Sequence, residues 1–98
     1  MTINPEQKNE TLTLHIEGRL DTITSPELEK VINELPSEIS VLILDLKKLT
    51  YVSSAGLRVL LVAQKKMNHL GSMKLTGVCA DVMDVLEMTG FADILVIE

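Results

Sequence analysis

The sequence predicts an α/β domain: a mixed β-sheet with helices packed against it, in the order β-β-α-β-α-β-α-β. Three observations carry this. Residues 11–17, "TLTLHIE", alternate strictly between apolar and polar, as a half-buried strand does. Residues 25–35 place Leu28, Val31, Ile32 and Leu35 at helical spacing, one apolar face of an amphipathic helix. From there helical and strand patterns take turns, which implies parallel strands joined by right-handed crossovers.

Each element has a local cause. "KNE" ahead of residue 11 turns the chain back toward a short strand near residues 2–6, and Pro5 places that strand at a sheet edge. The first helix opens at "TSPELEK": Thr24 or Ser25 is the cap, Pro26 fits the first turn, Glu27 suits the positive end of the dipole, and Pro36 stops it. "SVLILDL", residues 40–46, is a continuous apolar run, which predicts a central strand covered on both faces and closed by Asp45. "LKKLTYV" is then a crossing segment, and residues 54–70 return to helix. Leu57, Leu60, Leu61 and Met67 face the sheet, Arg58, Lys65 and Lys66 are solvated, and Gly71 ends the helix. "SMKLTGV" is a short strand, "ADVMDVLEMTG" a third helix closed by Gly90, and "DILVIE" a final strand.

Bulk properties bound the function. The 98 residues form one domain, 1–98. Apolar residues are 46% of the chain and aromatics 2%, so the core is aliphatic. Fourteen acidic residues against nine basic ones give a net charge of −5. No basic stripe is available to displace counterions from phosphates, and anionic lipid is equally disfavoured, so neither direct nucleic-acid nor membrane binding is expected. Cys79 is alone and has no disulfide partner, and with two scattered histidines it makes no zinc site. The start "MTINPEQKNE" lacks a signal-peptide pattern, and runs such as "VLLVA" are too short to cross a bilayer. A reducing cytoplasm is the expected compartment.

Catalysis finds little support. "SSAG" is not a G-x-S-x-G elbow, and there is neither a Walker loop nor a G-x-G-x-x-G. His15 and His69 read as ordinary surface residues. Asp21, Asp45 and Asp81 read as solvated loop carboxylates rather than a metal site. The informative stretch is "TYVSSAGLRVLL", residues 50–61. Ser53 as N-cap explains one serine and leaves Ser54 a spare hydroxyl at a helix N-terminus, where free N–H groups and a partial positive charge receive an anion. Ala55 and Gly56 leave room for a phosphate or a kinase to approach. Arg58, one turn on, reads as solvated or partner-contacting rather than as a phosphate tether.

"GRLD" at 18–21, "LILDLKKLTYVSSAGLRVLL" at 42–61 and "GF" at 90–91 resemble the bacterial anti-sigma factor antagonists, which are stand-alone STAS domains. The resemblance spans nearly the whole chain and agrees with the order of elements. It implies a non-enzymatic protein without cofactor that binds an anti-sigma factor, itself a serine kinase, and so frees a sigma factor. It also implies phosphorylation by that partner on the serine two before the motif glycine. Gly56 makes that residue Ser54, with Ser53 as second choice. Many relatives carry aspartate at the preceding position, where this chain has Ser53. The implied docking surface runs through Asp21, Thr22 and Thr24, then Ser53, Ser54, Ala55, Gly56, Leu57 and Arg58. Asp21 matches the family's loop aspartate, and capping the loop before residue 25 is its other role. A phosphoserine phosphatase would reset the switch, and the free protein is expected to be a monomer. Two alternatives are a STAS interaction subunit of a stressosome-like or transporter-associated complex, and a small hydrolase using Ser54.

Overall fold

The computed structural model describes all residues, Met1–Glu98. The elements run β1 (Thr2–Lys8), β2 (Thr11–Leu20), α1 (Ser25–Asn33), β3 (Val41–Val52), α2 (Ser54–Leu70), β4 (Ser72–Thr76) and α3 (Ala80–Met88), followed by a 3-10 turn at Phe91–Asp93. The sheet order is β1-β2-β3-β4. β1 pairs antiparallel with β2 through the expected hairpin, whereas β2–β3 and β3–β4 are parallel. The mixed sheet and the crossover helices are as the sequence predicts, and Pro5 does lie in an edge strand. No helix is long and apolar enough to cross a membrane.

The core lies on one face of the sheet. Leu12, Leu14 and Ile16 of β2, Leu42, Leu44 and Leu46 of β3, and Met73 and Leu75 of β4 join Leu28 and Ile32 of α1, Val59, Leu60, Ala63 and Met67 of α2, and Val82 and Leu86 of α3 in one buried cluster. The expectation that β3 is covered on both faces is therefore corrected. Val41, Ile43 and Asp45 on the opposite face are only partly buried, and alternation along β3 is real, though the β-branched Val41 and Ile43 conceal it in the sequence.

Asp45 does not close β3. The strand continues through "LKKLTYV" to Val52, because two irregularities of register give it two more residues than β2 over the same span: His15 pairs with Asp45 but Glu17 with Lys48, and Gly18 pairs with Leu49 but Arg19 with Tyr51. Each extra residue breaks the regular register and re-aims the strand, as a bulge does. Leu46, Leu49 and Val52, three apart, thereby all reach the core. A spacing of three matches neither helix nor ideal strand, so the sequence pattern alone reads as a connection.

The ends of elements also shift. α1 stops at Asn33, ahead of Leu35, and the Glu34 N–H is shared between the carbonyls of Lys30 and Val31. The final strand contracts to one parallel bridge, Leu75 with Ile97. Residues 90–95 are instead consumed by a turn in which the N–H groups of Asp93, Ile94 and Leu95 bond to Gly90 and Phe91. α2 runs as expected to Leu70, and Gly71 is fixed by contact: a Cβ there would stand 1.9 Å from the Ser40 carbonyl oxygen.

Two outcomes check this packing by denaturant unfolding. Leu44→Ala, at a fully buried site, should lose about 2–5 kcal/mol. Gly71→Ala should lose more than the few tenths typical of an exposed helix end, because the backbone of Ser40 must move.

Candidate functional site

The first turn of α2 sits against the end of β2. Ser53, in an extended conformation, donates its backbone N–H to the Leu20 carbonyl at 2.9 Å, and its hydroxyl oxygen accepts the Gly56 N–H at 3.3 Å. Its carbonyl accepts the first intrahelical bond, from the Leu57 N–H at 2.9 Å. Gly56 itself is pressed onto β2: a Cβ would meet the Leu20 carbonyl oxygen at 2.7 Å and Val52 at 2.9 Å. The glycine thus serves close packing inward, correcting the expectation that it opens space for an approaching phosphate. Gly56 and Leu57 are buried, so Leu57 offers its side chain to the core rather than to a partner.

Ser54 is exposed at the first helical position, with no acidic residue in that turn. Of the helix's unpaired N–H groups, that of Gly56 is taken by Ser53, while those of Ser54 and Ala55 stand outside the helical ladder. The two serines are therefore divided in role. Ser53 is half-buried and committed to the cap, and Ser54 offers a free hydroxyl.

The loop after β2 is fixed by Asp21. Its Oδ1 accepts the N–H groups of Ile23 and Thr24, both at 3.0 Å. The Thr24 hydroxyl accepts the Asp21 N–H at 2.9 Å and donates to the Arg19 carbonyl at 2.7 Å. This is the local side-chain to backbone pattern that Asp and Thr favour in turns. The Thr24 N–H, foremost, holds the Asp21 carboxyl below its ordinary range. Asp21 thus caps its loop. Thr24 stands at the N-cap position of α1 without capping it through its side chain, and the Ser25 hydroxyl is buried without a partner. Thr22 is exposed. Through the contacts of Leu20, the 21–24 loop and the 53–54 turn become one surface.

Arg58 does not reach toward the serines. Its guanidinium forms two hydrogen bonds, at 3.0 and 3.3 Å, with Glu29 of α1, and so ties the two helices together. Two further exposed side chains mark this region, and the sequence pattern singles out neither. Ile23 is 84% exposed on a loop held by hydrogen bonds; an isolated apolar residue amid "DTITS" was the available signal. Tyr51 carries the Arg19 guanidinium over its ring at 4.1 Å, a cross-strand contact created by the bulge. The three aspartates do not gather: Asp45 pairs with His15, and Asp81 is exposed in α3.

The description of a STAS domain matches residues 2–98. The chain belongs to the STAS domain family. Among characterised sequences it is 34% identical over 77 residues to BtrV of Bordetella bronchiseptica, a protein provisionally named an anti-sigma factor antagonist; the match covers 74% of this chain and 66% of BtrV, just under two thirds of that protein's length. Among solved structures, an anti-sigma factor antagonist from Mycobacterium paratuberculosis superposes with a TM-score of 0.87 at 20% identity, over 98% of this chain and 83% of that one. The Bacillus cell fate determinant SpoIIAA in its phosphorylated form superposes with a TM-score of 0.69 at 16% identity, over 99% and 91%. At these identities the superpositions establish the STAS fold.

The division between the serines is measurable. Ser53→Ala removes the cap of this STAS domain and should lower stability by about 1 kcal/mol, whereas Ser54→Ala should stay within about 0.5 kcal/mol of wild type. Gly56→Ala should cost about 1–3 kcal/mol, the usual range for overpacking, and urea titration of the three variants ranks them.

Proposed function

We propose that this STAS domain is an anti-sigma factor antagonist: unphosphorylated, it binds an anti-sigma factor that is a serine kinase, and phosphorylation of Ser54 by that partner switches the binding off. The observation that carries the reading is the exposed Ser54 hydroxyl at the N-terminus of a 17-residue helix, beside a loop that Asp21 holds rigid. The similarity to BtrV supports it, as does the existence of a phosphorylated form of SpoIIAA on the same fold.

The docking surface is formed by Asp21, Thr22 and Thr24 on one loop and by Ser53, Ser54 and Ala55 on the other, with Ile23 as its one large apolar side chain. A phosphate on Ser54 adds about −1.5 to −2 charges at pH 7. The free N–H groups of Ser54 and Ala55 and the positive end of the helix dipole accommodate that charge within the domain. A partner surface that fits the neutral hydroxyl meets bulk, repulsion and the desolvation of a dianion. A penalty of ~3 kcal/mol weakens binding by over a hundredfold, which is enough for a switch. Release of the sigma factor follows docking, a phosphatase restores the hydroxyl, and ATP is the kinase's substrate. The setting is cytoplasmic, and the free domain acts as a monomer.

Incubation with the candidate kinase and ATP, followed by peptide mass mapping, tests the assignment. Phosphate should appear on Ser54 and vanish in Ser54→Ala. Ser54→Asp should keep the wild-type melting temperature and lose about a hundredfold in partner affinity by calorimetry. Phosphate on Ser53, or unfolding of Ser54→Asp, overturns the reading.

A further inference from the structure

On the face of the sheet that carries no helix, His15 stands on β2 between two carboxylates. Its Nδ1 lies 2.7 Å from Asp45 Oδ2 on β3, and its Nε2 lies 2.9 Å from Glu6 Oε1 on β1. One imidazole thus spans three adjacent strands. A carboxylate only accepts hydrogen bonds, and a neutral imidazole has one N–H to give. Both contacts are satisfied together only when both ring nitrogens carry a proton.

We propose that His15 is a proton-operated clasp that holds the edge strand β1 onto the sheet through Glu6 and lets it go when the imidazole becomes neutral.

The surroundings decide which contact breaks. Asp45 is the shorter contact and its side chain is only 12% exposed, against 73% for Glu6. It also accepts the Lys47 N–H at 3.2 Å, and the Lys47 ammonium lies 3.7 Å away. A neutral His15 therefore keeps its single N–H on Asp45 and turns a lone pair toward Glu6. The charged and polar groups facing the ring are Glu6 and Asn4 from β1, Glu17 from β2 itself, and Asp45, Lys47 and Lys48 from β3. Apart from Glu6, these line an open cleft of about 250 Å³ that admits solvent to the ring. β1 is suited to release: it pairs with β2 alone, most of its residues are exposed, and Pro5 has no N–H to contribute.

The electrostatics agree in sign. The hydrogen bond to Glu6, then that to Asp45, raise His15 above its ordinary value of about 6.5. Burial opposes ionisation of Asp45, but the hydrogen bonds from His15 and Lys47 outweigh it and keep its carboxyl below the ordinary range. A group raised in the folded state stabilises fully below its unfolded value, and that contribution is lost as pH rises through the folded value. The clasp is thus fully closed below the ordinary histidine value of about 6.5 and opens only as pH rises through the raised value of the folded state.

Two-dimensional NMR across pH 6–9 tests this, with the His15 ring signal assigned by its loss in His15→Gln and β1 amide protection factors corrected for intrinsic exchange. His15 should titrate above the ordinary histidine value. Protection of the β1 amides should fall by up to about tenfold for each pH unit by which Glu6 raises His15, with no matching fall in β3. Glu6→Gln, at an exposed position, should lower the His15 titration point and flatten the β1 response. A His15 ring that titrates at or below the ordinary value, β1 protection that stays flat through the titration, or a response that persists in Glu6→Gln overturns the clasp.

Discussion

The surface that carries Ser54 depends on a backbone contact. Leu20 ends β2, and its carbonyl oxygen accepts the Ser53 N–H and stands 2.7 Å from where a Cβ on Gly56 would be. A side chain at position 56 would push α2 away from β2 and separate the two loops. With glycine there, the loop fixed by Asp21 and the turn capped by Ser53 are held as one rigid unit. The exposed hydroxyl of Ser54 therefore sits at a defined place relative to Ile23 and Thr22. The proposed switch, which acts by spoiling surface fit, would need that rigidity, because a mobile site would relax around an added charge.

The same contact explains why neighbouring residues differ so much in role. Ser53 faces back into the helix and caps it, Gly56 and Leu57 face the sheet, and Ser54 faces solvent, all within one turn. Arg58, which a linear reading places near the serines, is drawn to Glu29 and braces α1 against α2. α1 in turn gives up its Ile32 carbonyl to the Lys66 ammonium at 2.7 Å. The two helices are thus locked to each other, and the charge of the proposed phosphoserine would meet a scaffold already tied along its length.

The sheet separates two kinds of chemistry. Its covered face is aliphatic, built almost entirely of Leu, Ile, Val and Met, and supplies the stability. Its open face carries the polar bridge through His15, which links β1, β2 and β3 with side chains rather than backbone. A bridge of that kind responds to protonation while the aliphatic layer beneath it does not. β1, the strand with least burial, is where such a response has the least to overcome.

Much of this was legible in the sequence because it depends on local pattern. The alternation of residues 11–17, the helical spacing from Leu28 to Ile32, the prolines at 5 and 26, and Gly71 marked the helices, the hairpin and the edge strand through steric and periodic rules that act over a few residues. The motif around Ser53–Gly56 placed the serines at a helix start, and the cap at Ser53 followed. What only the tertiary structure decided concerns partners distant in sequence. The register shifts by which β3 runs on to Val52 are defined only by its pairing with β2. The turn at residues 90–95 packs against α3 where a strand was expected, and Arg58 pairs with Glu29, and His15 with both Glu6 and Asp45, across strands and helices. Pairings of that range depend on register and packing geometry, which no window of neighbouring residues contains.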